Sequence, residues 1–282
     1  MRILSCSLYA ALLVGCGSSD RNDPAAPDAP VQHHFEDAPP QMAESSRVYA
    51  HSGTTLYRID TANLAPVMIG TMAGLGTESL TDIAIDKNDH MVGITMKKLY
   101  AIDATNGAVT LVKDLSQSAT GFTSLSYVPT DLSDPNSDEL LVAANGNGDV
   151  FKIDPATGNA TMLGNYGMIA AQQVRSSGDI VAVRDLGIYA TVDVGDDPNQ
   201  ADFLAKIDPV TGKATPLGTG TGFTRIFGLG YWAGTFYGFV DNGTGMGKMI
   251  TIDQNTGAGS LITAGPQQWY GAGVTTDAPI LQ

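Results

Sequence analysis

Thiol chemistry is nearly absent from this chain, whose 282 residues carry only Cys6 and Cys16. Both lie close to the N-terminus, so the rest of the sequence can form no disulfide and offers no thiolate to a metal or a substrate. Glutamate and histidine are also scarce. Past residue 45 only Glu78, Glu139, His51 and His90 occur, a thin supply for general acid–base chemistry or a zinc centre. Lys and Arg number 15 against 29 Asp and Glu, a net charge of −14. Such a surface repels nucleic acid and anionic lipid head groups, and no basic stripe interrupts it. There is no G-x-S-x-G elbow, no phosphate loop and no zinc-ligand spacing. No apolar run is long enough to span a bilayer as a helix.

What the N-terminus does contain is Arg2 followed by an apolar run, Ile3 to Gly15. Its length, about 13 residues, suits the hydrophobic region of a signal peptide. The run ends in Leu13-Val14-Gly15-Cys16. This resembles a bacterial lipobox, which implies a signal peptide over 1–15 and lipid on Cys16, the first residue of the mature chain. Acyl chains would tie the protein to a membrane surface without spanning it. Gly17 follows the cysteine where a retention signal would place Asp, so the expectation is the outer membrane of a Gram-negative envelope. Residues 16–45 are rich in Pro, Ala, Asp and Ser and read as a disordered tether. His33-His34 within it is read as a solvated pair.

The body of the chain repeats itself. Leu56-Tyr57-Arg58-Ile59-Asp60 recurs as Leu-Tyr-Ala-Ile-Asp to Asp103, Val-Phe-Lys-Ile-Asp to Asp154, Leu-Ala-Lys-Ile-Asp to Asp208 and Met-Ile-Thr-Ile-Asp to Asp253. The last four copies run on into a turn that ends in Gly. The Asp carboxylate can accept backbone N–H groups there, and Gly supplies the left-handed residue that closes the hairpin. These five aspartates are therefore turn formers. A period near 50 built of short strands signals a β-propeller. Residues 80–115 divide into four β-prone runs, one blade, and the pattern recurs along the chain. One later blade takes Gln173–Arg175 and Asp179–Arg184 as its first two strands, Phe203–Asp208 as its third, and leaves 185–202 as a long loop.

The two ends of the body are unequal. Residues 47–71 supply only a second, third and fourth strand, while 269–275 supply a lone first strand. Joined, they make one blade and close the ring. The fold class expected is thus all-β: a five-bladed propeller over 46–282, closed by the C-terminal strand joining the N-terminal blade. A seven-bladed ring would need about 330 residues at this period.

Asp154-Pro-Ala-Thr-Gly-Asn-Ala-Thr-Met-Leu-Gly164 and its counterpart Asp208 to Gly218 resemble the unit L-Y-x-I-D-P-x-T-G-x-x-T-x-L-G of bacterial quinoprotein-like and YncE-like propellers. That is a scaffold motif; it implies fold and leaves activity open. Quinone-cofactor members of such groups carry tryptophan docking motifs in every blade, and here only Trp232 and Trp269 exist.

A propeller places its strand 4-to-1 and 2-to-3 loops on one face, around the mouth of the central channel, where ligands are usually held. That face would present Glu78, Asp82, Ser124, Gln172, Gln173, Arg225, Phe227, Trp269 and Tyr270. Two glutamines, an arginine and several aromatics suit recognition of a peptide or a glycan by stacking and fixed hydrogen bonds. Asp193, Asp196, Asp197 and Asp202 could gather oxygen ligands for Ca²⁺, but they lack the EF-hand order, and a solvated acidic loop competes with that reading. No other cofactor is expected. The functional expectation is a monomeric, lipid-anchored envelope propeller that binds a protein, peptide or glycan without catalysis. The alternative is a five-bladed carbohydrate-active hydrolase using Glu78 and Asp82, the one candidate carboxylate pair.

Overall fold

A computed structural model describes residues 46–243 and 245–276. The calls on residues 1–45, including the signal peptide, the tether and Cys16, lie outside the described residues. Among those described there is no helix. Three strands open the chain, β1 (Val48–His51), β2 (Thr55–Ile59) and β3 (Pro66–Thr71). The second blade is β4 (Asp82–Ile85), β5 (Met91–Ile94), β6 (Lys98–Ile102) and β7 (Val109–Asp114). The third is β8 (Phe122–Pro129), β9 (Glu139–Asn145), β10 (Asp149–Ile153) and β11 (Ala160–Asn165). A short β12 (Met168–Ile169) precedes the fourth, β13 (Gln172–Val183), β14 (Gly187–Val194), β15 (Phe203–Ile207) and β16 (Ala214–Pro216). The fifth is β17 (Ile226–Trp232), β18 (Thr235–Val240), β19 (Gly247–Ile252) and β20 (Gly259–Gly265). The last strand, β21 (Gly271–Val274), pairs antiparallel with β1 and completes the first blade in the order β21-β1-β2-β3. Five antiparallel sheets thus form a ring, the five-bladed propeller expected from the unequal chain ends.

The inner strands β21, β4, β8, β13 and β17 contact one another in sequence around the axis. Between each pair of neighbouring blades lies one apolar cluster. Tyr49, Met72, Leu80 and Tyr100 fill the seam between blades one and two, and Phe122, Leu125 and Phe151 the next. Trp232, Phe239 and Trp269 fill the seam where ring closure occurs. Burial of these side chains in place of any cross-link is what holds the ring.

The repeated turns act as foreseen, and they do more. Asp103 accepts from the Thr105 N–H at 2.8 Å, and Gly107, at φ 81°, closes the turn onto the Asp103 carbonyl. Asp208 accepts from the N–H groups of Val210 and Thr211 at 2.9 and 2.8 Å. Each turn also presses against the outer strand of the preceding blade. A Cβ on Gly70 would stand 1.9 Å from the Asn106 carbonyl oxygen, and one on Gly164 2.1 Å from that of Thr211. The glycine of the Leu-Gly repeat is thus demanded by its neighbour's turn.

One blade differs from its sequence assignment. Residues 179–184 do not form a second strand. Residues 179–183 continue β13, and the segment expected as a loop contains the true second strand, β14. Ser176-Ser177-Gly178 looks like a turn but is a bulge in a long inner strand, where register slips between Ser176 and Ile180. Thr191 Oγ accepts the Asp179 N–H at 3.0 Å and so satisfies the bulged backbone.

Candidate binding face and axial carboxylates

Apart from the two-residue β12 at the start of β13, no strand among the described residues pairs with the inward edges of the inner strands, so their N–H groups need other acceptors. Two carboxylates supply them. Asp82, at the start of β4, accepts from its own neighbour Ile83 at 2.9 Å and from Leu125 of the next blade at 2.7 Å. Asp179, in β13, accepts from Ile180 at 2.6 Å, from Leu229 at 2.8 Å and also from Ala272. One N–H from each of the five inner strands is thereby capped by two side chains. The equivalent residues in the remaining strands are Ser124, Gly228 and Gly271. Gly271 admits no side chain, since a Cβ would lie 2.4 Å from Asp82 Oδ1 and 2.6 Å from His51 Nε2.

Asp82 and Asp179 are hydrogen-bonded to each other, and both are out of contact with solvent. Burial, then for Asp82 the charge of Asp179, raises the pKa of each well above the usual carboxylate range. A pair of touching, buried carboxyls cannot both ionise cheaply, and so keeps a proton. His51 stands beside them. Its Nδ1 faces the Ser52 carbonyl at 2.8 Å, which assigns the ring proton to that nitrogen, and burial lowers its pKa to about 4. The ring is neutral, and Nε2 is buried without a partner.

The residues expected at the channel mouth therefore divide. Asp82 is not a mouth residue; it is buried in the axial pair. Glu78 does not join it. Its carboxylate turns outward to Thr95 Oγ at 2.9 Å and to Lys98, both in its own blade, and the Lys98 hydrogen bond lowers its pKa. Trp269 is also absent from the mouth: it is buried edge-on to Tyr57 and Phe239, each at 5.6 Å between centroids. Ser124 is buried and accepts from the Ala144 N–H at 2.9 Å. Gln173 is held by Asn165 and the carbonyls of Gly167 and Val174, while Gln172 is exposed.

Three of the expected residues do assemble. Arg225 lies over the Phe227 ring, 5.2 Å from its centroid, and Phe227 lies 6.5 Å from the Tyr270 ring. The two rings are half-buried, and the Arg225 side chain is 48% exposed although it pairs with the buried Asp241. Arg225 has a positive φ, 61°, an uncommon conformation for a non-glycine residue. Asp202 holds it there by accepting the N–H groups of Arg225 at 3.2 Å and Ile226 at 2.7 Å.

The four acidic residues of the fourth blade do not converge. Asp193 and Asp202 hydrogen-bond each other; Asp196 turns to Arg175 at 2.5 Å; exposed Asp197 caps its own turn at the Asn199 N–H. Among the described residues no group of three or more His, Cys, Asp or Glu side chains is placed to hold a metal ion. Asp202 also takes a hydrogen bond from Ser177 at 2.5 Å. Burial and then the Asp193 charge push its pKa up to about 7.

Sequence reasoning missed Asp179 and His51. The signal for Asp179 was its place in the repeat: like Asp82, it precedes Ile on an inner strand. The Ser-Ser-Gly bulge before it concealed that alignment.

No protein-family model matches the chain, and no curated protein sequence matches it. Solved structures do. A Bacteroides caccae protein of unknown function aligns over 82% of this chain and 98% of its own, with 9% identity and a TM-score of 0.45. A provisionally named 6-phosphogluconolactonase from Bacteroides fragilis aligns over 83% of this chain and 99% of its own, with 11% identity and a TM-score of 0.45. The computationally designed protein Ika4 aligns over 66% of this chain and 98% of its own, at 14% identity and a TM-score of 0.36. Nothing of their chemistry transfers to this chain.

Proposed function

We propose that this propeller is a binding module without chemistry of its own, taking a protein, peptide or glycan on the face that carries Arg225, Phe227 and Tyr270. The observation behind this reading is the exposed guanidinium held over the half-buried Phe227 ring, with the Tyr270 ring beside it. Such a cluster offers aromatic surface beside a fixed positive charge, the kind of anchor that dominates recognition energetics. Against the hydrolase alternative, Glu78 and Asp82 do not come together: Asp82 serves backbone N–H groups and Glu78 faces Lys98. The Leu13-to-Cys16 box supports a lipid-anchored position on the bacterial envelope, with the outer membrane favoured.

Binding of the protein to glycan and peptide arrays tests the reading. Arg225→Ala, Phe227→Ala and Tyr270→Ala should each weaken the best ligand about tenfold or more. Turnover of a glycoside or lactone that Glu78→Gln abolishes would sink it. Fatty-acid labelling lost in Cys16→Ser tests the anchor separately.

A further inference from the structure

Four of the seams between blades are closed at the rim by a repeated turn lying against the preceding outer strand. Asn106 meets Gly70, Thr211 meets Gly164, Thr256 meets Gly218, and Gly158 meets the Lys113 side chain. The seam that closes the ring departs from this. Thr263, at the register slip of β20, stands where Gly70 and Gly164 stand in β3 and β11. The turn residue that donates to the Asp60 carbonyl is Leu64, at φ 61°, where the other turns have Gly. Leu64 and Thr263 both line a groove of about 460 Å³, a size within the range of small-molecule sites.

Leu64, Met249 and Ile262 give this groove aliphatic walls. The Trp269 indole N–H, the Gln267 carboxamide and the Thr263 hydroxyl belong to lining residues, and none of the three has a hydrogen-bond partner among the described residues. Trp269 is only 3% exposed, yet its N–H is not sealed from solvent as that of Trp232 is. A Cβ on Gly247 would stand 2.7 Å from Trp269 Cδ1 and 3.0 Å from Nε1, so a glycine on the groove wall leaves that edge of the indole open. A nearly buried donor without an acceptor is costly, and a ligand oxygen would satisfy it. None of the described residues lining the groove is ionisable, in a chain of net charge −14. The groove therefore offers no ion-pair partner to a phosphate, a carboxylate or an ammonium group. Pro66 and Pro266, also in the lining, lack the N–H that strand addition by a peptide uses.

We propose that this groove binds a neutral hexose unit. Hydroxyl groups, each both donor and acceptor, match the indole N–H, the carboxamide and the threonine hydroxyl, while the C–H face of the ring packs on Leu64 and Ile262. The groove shares no residue with the Arg225 cluster and does not rest on the function assigned there.

The chain has two tryptophans, so nitrogen-labelled indoles in the full-length protein give two side-chain N–H signals, assigned with Trp232→Phe. Titration with methyl glucoside, methyl galactoside and methyl mannoside should move the Trp269 signal saturably with at least one of them and leave that of Trp232 in place. The uronic acid of the same sugar should bind about tenfold more weakly or worse. Gln267→Ala removes a hydrogen-bonding group, and Ala264→Trp fills the groove from an exposed strand position. Each should weaken the sugar about tenfold or more. The proposal is overturned if none of the three sugars moves the Trp269 signal saturably, or if the uronic acid binds as tightly as its neutral parent. It is equally overturned if N-acetylalanine methylamide, a peptide probe, binds there more tightly than the sugars, or if both variants keep wild-type affinity.

Discussion

Asp82 and Asp179 meet across the propeller axis and between them take up one inward N–H from every blade. Removing either should loosen the ring. Asp82→Ala leaves the Ile83 and Leu125 N–H groups buried without acceptors and should cost about 3 kcal/mol or more. Asp82→Asn can still donate to Asp179 and accept one N–H, so it should cost less. Since the folded state holds a proton that the unfolded state releases, the pair's contribution is full below the ordinary carboxylate range and declines as pH rises. Asp82→Asn should therefore flatten the fall of stability toward alkaline pH. Denaturant unfolding of the three proteins across pH checks this, and an Asn variant as costly as Asp82→Ala and as pH-sensitive as wild type would contradict it.

The ring was legible in the sequence because its signals are local. Ile59-Asp60 and its four copies set strand, turn and period together, and Arg47 to Thr71 against Trp269 to Thr275 fixed the closure. The site was much less legible. Trp269 and Tyr270 lie in the segment before β21, outside any strand, so no alternation says which faces solvent and only packing decides it. The role of Asp82 depends on Leu125 and Asp179, partners supplied by other blades, and no local pattern encodes that meeting. In the fourth blade Ser176-Ser177-Gly178 carried turn chemistry into a bulge, which hid β14 inside an apparent loop.

A second pH effect runs through Asp202. Its folded pKa of about 7 lies above that of an unfolded aspartate, so its stabilising share is complete below about pH 4 and is lost as pH rises through about 7. The loss is at most about 4 kcal/mol. Asp103, Asp154, Asp208 and Asp253 act with opposite sign: turn N–H and hydroxyl groups lower their pKa values, and their share is lost as pH falls through those lowered values. Melting temperatures should thus fall at both ends of the pH range. In Asp202→Asn the fall between pH 5 and 8 should shrink while the acid limb stays; an unchanged slope there would refute the assignment.

The contact between each repeated turn and the preceding blade predicts a glycine contrast. Gly164→Ala drives a methyl into the Thr211 carbonyl, a backbone atom that cannot swing aside, and Gly70→Ala does the same at Asn106. Each should cost about 2 kcal/mol or more by overpacking. Gly146 has no atom within 4 Å of its would-be Cβ and no positive φ. Gly146→Ala should be neutral or stabilise by about 0.5 kcal/mol. Chemical denaturation of the three variants separates a packing demand from a general cost of replacing glycine.

Trp269 and Tyr270, adjacent in sequence, should respond oppositely. Trp269 is packed edge-on between Tyr57 and Phe239 in the seam that closes the ring, and its exposure is 3%. Trp269→Ala should cost about 3–5 kcal/mol by leaving a cavity there, and it should weaken the hold of β21 on β1. Tyr270, the last residue before β21, is half-buried beside Phe227. Tyr270→Ala should alter stability by about 1 kcal/mol or less while lowering affinity at the Arg225 face. Thermal unfolding and binding measured on both variants decide the matter, and a stable Trp269→Ala protein that had lost only its ligand would return that residue to the mouth.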